Sequence, residues 1–162
     1  MKVEKIIIVA SIVIVIIIII SILILSNFSS LQNYKFVAIT PEQLQEIYGY
    51  NFTWIKYYSN IYNILSLNVT YYIPSIHWAP IELLLYKFNN TYMAESIGSF
   101  PPTVNYISGN YKLFSYEIQI GNKVTTVRFY SGYYAGIFFF YQPCTNINDV
   151  IKVIENQIND ME

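Results

Sequence analysis

His77 and Cys144, the only histidine and the only cysteine of the chain, are the side chains best suited to nucleophilic or metal chemistry. A cysteine nucleophile needs a base and an orienting group in contact with it, but these two residues lie far apart in the sequence. One cysteine and one histidine also cannot complete a conventional four-ligand zinc site. We therefore predict that the protein is not an enzyme and that it holds no metal and no cofactor. A single cysteine cannot form an internal disulfide, and an exposed Cys144 could pair only between chains.

Aromatic side chains form the most distinctive candidate site. Tyr71, Tyr72, His77 and Trp78 lie around a loop that is framed by Pro74 and Pro80. Tyrosine and tryptophan combine an apolar body with a polar tip, which suits them to binding surfaces. This cluster therefore predicts a surface for a partner protein, a glycan or a membrane interface. The alternative is that these rings fill the core of a domain rich in tyrosine.

Three Asn-x-Thr triplets, at Asn51, Asn68 and Asn89, are candidate glycosylation sites, as expected in surface loops of an exported protein. Asn27-Phe-Ser29 is a fourth triplet, next to the apolar N-terminal segment and so a poorer candidate. These triplets predict an exported glycoprotein.

The composition excludes one class of partner. The net charge is -1 and only 12% of the residues are charged, whereas nucleic-acid binding needs clustered lysine and arginine. We therefore predict no nucleic-acid partner. The abundance of Ile, Tyr and Asn is similar to that of surface proteins of thermoacidophilic archaea.

The N-terminal segment from Ile6 to Leu25 is an unbroken apolar run. A helix of about 20 apolar residues matches the thickness of a bilayer core, so the sequence predicts a signal-anchor transmembrane helix within residues 1–30 and one domain over residues 31–162. Lys2 and Lys5 precede the run. Because positive flanks stay inside, we expect a single-pass protein of the cell membrane with a cytoplasmic N-terminus and an extracellular domain.

Hydrophobic periodicity and turn residues predict an α+β domain, an antiparallel sheet covered by helices. The predicted strands lie near residues 81–88, 111–120, 123–130 and 133–141, and the predicted helices lie near residues 41–48, 54–66, 91–97 and 147–161. The helix at 41–48 has the clearest signal, because Thr40 and Gln43 can form a capping box and Gly49 can end the helix in a left-handed conformation.

Two functions fit these observations. The first is an accessory or interaction protein of the cell envelope, without catalytic activity, that contacts the bilayer through Ile6 to Leu25 and binds other envelope or membrane proteins. The second is a structural subunit of a surface filament or lattice, which would form homo-oligomers through a packed N-terminal helix. In this architecture the chain resembles type IV pilin-like subunits, although Lys5 is followed directly by Ile6 instead of the Gly, Ala or Ser at which those precursors are cut.

Overall fold

The computed structural model describes Ile14, residues 16–21 and residues 34–162. The chain divides into two units, Met1–Asn33 and Tyr34–Glu162. Ile14 and residues 16–21 of the first unit are helical. The rest of the predicted span from Ile6 to Leu25, and the triplet at Asn27, lie outside the described residues.

The described helical residues do not support a membrane span. The described helical stretch, residues 16–21, covers six of the roughly 20 residues that a bilayer core requires. In the part of the chain that the structure describes, no helix is both long enough and apolar enough to cross a membrane. This finding contradicts the predicted transmembrane helix, and with it the predicted single-pass localisation with an extracellular domain.

The second unit is built on one antiparallel sheet of seven strands. The strands are β1 (Thr53–Ile61), β2 (Ile64–Ile73), β3 (Trp78–Lys87), β4 (Ile107–Tyr111), β5 (Phe114–Ile120), β6 (Val124–Ser131) and β7 (Tyr134–Tyr141). Their order across the sheet is β1-β2-β3-β7-β6-β5-β4. Two meanders therefore meet at the centre, where β3 pairs with β7, and β1 and β4 form the edges.

Three helices accompany the sheet: α1 (Pro41–Tyr48), α2 (Thr91–Gly98) and α3 (Ile147–Met161). These helices lie where the sequence places them. In α1 the predicted capping box is present, since the Thr40 side chain accepts from the Gln43 N–H and the Gln43 side chain accepts from the Thr40 N–H. Gly49 ends this helix with φ of 75°. A 3₁₀ turn, Pro74–Ile76, joins β2 to β3.

The predicted four-stranded sheet is wrong, chiefly because the predicted helix over residues 54–66 is a β-hairpin. Tyr62 and Asn63 form its two-residue turn with φ of 52° and 62°, and Ile61 pairs with Ile64 on either side of that turn. The 3–4 spacing of apolar residues arose because β1 is an edge strand with no fully buried residue, so its apolar residues do not alternate with polar ones. The strand predicted near residues 111–120 corresponds to β5, which begins at Phe114. The sequence analysis missed β4, which pairs with β5 across a turn in which Lys112 has φ of 53°.

One face of the sheet is buried in the main core. Alternate residues of the strands point into it, and they include Leu67, Val69, Tyr71, Ile73, Ile81, Leu83, Leu85, Phe114, Ile118, Val127, Phe129, Phe138 and Phe140. The apolar side of α3 is buried as well. The extended segment 34–40 connects the two, because the Tyr71 hydroxyl donates to Ile39 O at 2.7 Å and the Gln157 side chain accepts from Ile39 N at 2.8 Å.

The opposite face is covered at one end by α2. Ala94 of this helix packs with Phe88 and Ala135, and Tyr130 lies against this cluster. The other end of the same face carries side chains that are only half-buried or exposed, among them Tyr72 of β2 and Tyr141 of β7. The candidate site lies at this open end.

Candidate functional site

Three of the four predicted aromatic-loop residues line one surface cavity of about 460 Å³, here called the Trp78 cavity. Its lining comes from β1, from the end of β2, from the 3₁₀ turn and from the start of β3. The lining residues are Thr53, Ile55, Tyr72, Ile73, Pro74, His77 and Trp78. The cavity is therefore mainly apolar and aromatic, with polar groups from threonine, tyrosine, histidine and tryptophan.

Trp78 is exposed but held in place. Its indole Nε1–H donates to Gln142 O at 3.0 Å, and its ring meets the ring of Tyr141 edge-on, with centroids 6.4 Å apart. The side chain nevertheless keeps 49% of its surface exposed. A ring that is oriented before binding loses little conformational entropy when a partner covers it.

The turn that carries His77 has a defined backbone shape. Pro74 begins the 3₁₀ turn, and the His77 N–H closes it by donating to Pro74 O at 3.3 Å. His77 then adopts a left-handed conformation with φ of 51°, which redirects the chain into β3. The imidazole is exposed at the rim of the Trp78 cavity.

Tyr71, the fourth predicted residue, lies on the other face of the sheet. It is fully buried, and burial raises the pKa of its hydroxyl above the usual value, with a smaller contribution from Asp160. Tyr71 therefore belongs to the core, as the alternative interpretation expected.

Sequence reasoning also missed two residues that line the cavity, Thr53 and Ile55. The misassigned helix over residues 54–66 gave no indication that β1 lies beside Tyr72.

The three candidate glycosylation residues Asn51, Asn68 and Asn89 are all exposed. Asn51 precedes β1 and Asn89 precedes α2, both in connecting segments, whereas Asn68 lies within β2 and not in the expected loop. Asn68 shares the open face of the sheet with Tyr72. Attachment of sugars to these residues stays a prediction.

Cys144 is unsuited to nucleophilic chemistry. Its thiol is fully buried, and burial, with a smaller effect of Asp149, raises its pKa to about 12. Because the thiolate is the reactive form, this thiol is inert near neutral pH, and its burial does not fit a disulfide between chains. Within residues 34–162 and the described part of the first unit, no group of three His, Cys, Asp or Glu side chains could hold a metal ion.

A second surface cavity, of about 360 Å³, lies beside the end of α2 and is lined in part by Arg128 and Glu95. The Arg128 Nη1 donates to Ser99 O at 2.9 Å and to Ile97 O at 3.3 Å. Its guanidinium also lies 4.9 Å from the centre of the Phe100 ring. This arginine is therefore engaged in holding the C-terminal end of α2, which is a structural role.

Comparison with known proteins gives no guide to the function. No family model matches the sequence and no curated protein matches it. One crystal structure, described as a GTP binding regulator from Thermotoga maritima, is similar at a TM-score of 0.44 with 9% sequence identity, covering 76% of this chain and 91% of that chain. At this level of similarity we draw no argument from it.

Proposed function

We propose that the unit Tyr34–Glu162 is a binding domain without catalytic activity, and that the Trp78 cavity receives an apolar or aromatic side chain of a partner protein. The observation that carries this proposal is the hydrogen-bonded and half-exposed indole of Trp78 beside an apolar cavity. Tryptophan and tyrosine are enriched among the few residues that dominate the binding energy of protein interfaces.

The lining of the cavity indicates the chemistry of the bound group. None of the seven lining residues is Asp, Glu, Lys or Arg, so the cavity offers no charged group to a phosphate, a carboxylate or an ammonium ion. Ile55 and Trp78 offer apolar surface, and Thr53 and Tyr72 each carry a hydroxyl that can form hydrogen bonds. Apolar walls with a few polar groups are typical of a site that anchors one side chain of a partner.

The test selects partners for the cavity directly. A random peptide library displayed on phage is selected against the purified full-length protein and depleted on the Trp78→Ala variant. We expect the enriched peptides to share an aromatic or large aliphatic residue. We also expect their Kd to rise about 10- to 30-fold on Trp78→Ala, since an interface residue of this kind contributes about 1.4 to 2 kcal/mol.

Trp54→Ala is the matched control, because Trp54 lies on the opposite face of the sheet, with its ring 6.0 Å from that of Tyr71. The Kd of the selected peptides should be the same for this variant as for the wild type. Equal binding to wild type and Trp78→Ala would contradict the proposal. Competition by neutral oligosaccharides, with no enrichment of peptides, would assign the cavity to a glycan and would equally overturn a protein partner.

A further inference from the structure

Edge strand β1 is long, exposed and weakly protected against pairing. In residues 34–162, its only strand neighbour is β2. Of its side chains, Tyr57, Tyr58 and Ile61 are each more than half exposed, and Lys56 is its only charged residue. Natural proteins usually protect an edge of this kind with several charges, a proline or a bulge. Therefore β1 is suited to receive another strand.

The hairpin geometry determines which backbone groups of β1 point outward. The two-residue turn makes Ile61 and Ile64 a hydrogen-bonded pair. Because hydrogen-bonded and non-hydrogen-bonded positions alternate along an antiparallel ladder, the odd-numbered residues of β1 bond to β2. The residues whose N–H and C=O groups face away from β2 are Trp54, Lys56, Tyr58 and Asn60.

We propose that β1 pairs with β1 of a second copy of this chain, antiparallel, about a two-fold axis at Tyr57. Tyr57 is the central residue of the nine-residue strand, so this register overlaps the two strands along their full length. It places Trp54 opposite Asn60 of the second copy and Lys56 opposite Tyr58 of the second copy. All four outward-facing residues then find partners, and the seam contains about eight backbone hydrogen bonds.

Side-chain chemistry selects this register over its neighbours. Moving the two-fold axis from Tyr57 to Lys56 shifts the pairing by two residues and brings Lys56 opposite Lys56 of the second copy. Like charges directly opposite each other are destabilising. Moving the axis to Tyr58 instead leaves the outward N–H and C=O groups of Trp54 without a partner in β1 of the second copy. In the central register, by contrast, the ammonium of Lys56 faces a tyrosine ring, which is favourable, and the two copies of Tyr57 lie side by side.

The other edge strand is a poorer partner for β1. β4 has five residues and contains Gly109, so a β1–β4 pairing leaves about half of β1 unpaired and produces an open chain of subunits. The β1–β1 pairing instead closes after two copies. It also places Ile61 of the second copy opposite Thr53, at the margin of the Trp78 cavity. This inference does not depend on what the cavity binds.

The register is tested by single cysteines in the full-length protein. Tyr57 and Ser59 are both exposed and lie on the same face of β1. In the proposed dimer the two Tyr57→Cys residues form a non-hydrogen-bonded pair with Cβ atoms about 5 Å apart, within reach of a disulfide. The two Ser59→Cys residues are about 14 Å apart along the strands. Under mild oxidation with copper phenanthroline, we expect Tyr57→Cys to form a covalent dimer at least about tenfold faster than Ser59→Cys.

Equal rates for the two cysteine variants, or no covalent dimer with Tyr57→Cys, would overturn the proposal, since association through any other surface does not bring Tyr57 to itself. Cys144 does not interfere, because it is buried.

A second pair of variants tests the hydrogen bonds. Tyr58→Pro removes an outward N–H that β2 does not use, so the fold tolerates it, and we expect sedimentation velocity to show only monomers. Tyr58→Thr keeps that N–H and should still dimerise. Dimerisation of both variants would refute the seam.

Discussion

Gln157 is a fully buried polar side chain on the apolar side of α3, and its replacement tests how the N-terminal segment of the domain is held. Its Oε1 accepts from Ile39 N at 2.8 Å, and its Nε2 donates to Val37 O at 2.8 Å. Gln157→Met keeps the approximate volume but removes both hydrogen bonds. Ile39 is fully buried, so its N–H is left without a partner and without water.

The expected loss of stability follows from these contacts. An unsatisfied buried donor costs about 1–3 kcal/mol, and the lost bond to Val37, which is partly exposed, adds about 0.5–1.5 kcal/mol. We therefore expect the free energy of unfolding of Gln157→Met to fall by about 2–4 kcal/mol, which is a large part of the stability of a typical domain. Urea denaturation of the full-length protein, followed by tryptophan fluorescence, measures this change.

Asn156→Met is the matched control, because Asn156 neighbours Gln157 on the partly exposed side of α3. This substitution should change the free energy of unfolding by no more than about 0.5 kcal/mol. If Gln157→Met unfolds at the same urea concentration as the wild type, with an unchanged slope, Gln157 does not hold the segment and the reasoning fails.

Two further predictions concern the core and Cys144. A Cβ atom added at Gly136 would lie 2.0 Å from Cζ of Phe129, so Gly136→Ala should lower the free energy of unfolding by about 1–3 kcal/mol in the same urea assay; an unchanged midpoint would show that the ring moves freely. The buried thiol of Cys144 has a pKa raised from 9.0 to about 12, so it should react with iodoacetamide at pH 8 only in urea. Because the unfolded chain releases this proton first, the stability should also decrease as the pH rises from about 9 toward 12, and the decrease should be smaller in Cys144→Ala.

Local sequence signals predicted an element correctly where the residues that form the signal lie close together in the chain. The capping box of Thr40 and Gln43, the exit at Gly49 and the apolar stripe of α3 each predict an observed element. Gln157 also lies within this stripe, three residues after Ile154 and four before Met161, and this spacing places it on the buried side of the helix. Its interpretation as a buried hydrogen-bonding residue required the position of Ile39, which comes from the far end of the domain.

The errors arose where tertiary position overrides local pattern. No residue of β1 is fully buried, so its apolar residues carry no two-residue period. The turn at Tyr62 and Asn63 uses left-handed backbone in residues other than glycine. For the same reason the proximity of Ile55 to Tyr72 could not be predicted. The apolar run of the N-terminus predicted a spanning helix that the described residues do not show, and the alternative of a filament or lattice subunit stays a prediction.

The most direct measurement of the central claim is ¹⁹F NMR of the full-length protein labelled with 5-fluorotryptophan, which reports on Trp54 and Trp78, the only two tryptophans. As a selected peptide is added, we predict that the Trp78 resonance shifts and saturates at the Kd measured independently, while the Trp54 resonance stays constant. A peptide that binds and shifts only Trp54, or neither resonance, would contradict a partner side chain in the Trp78 cavity.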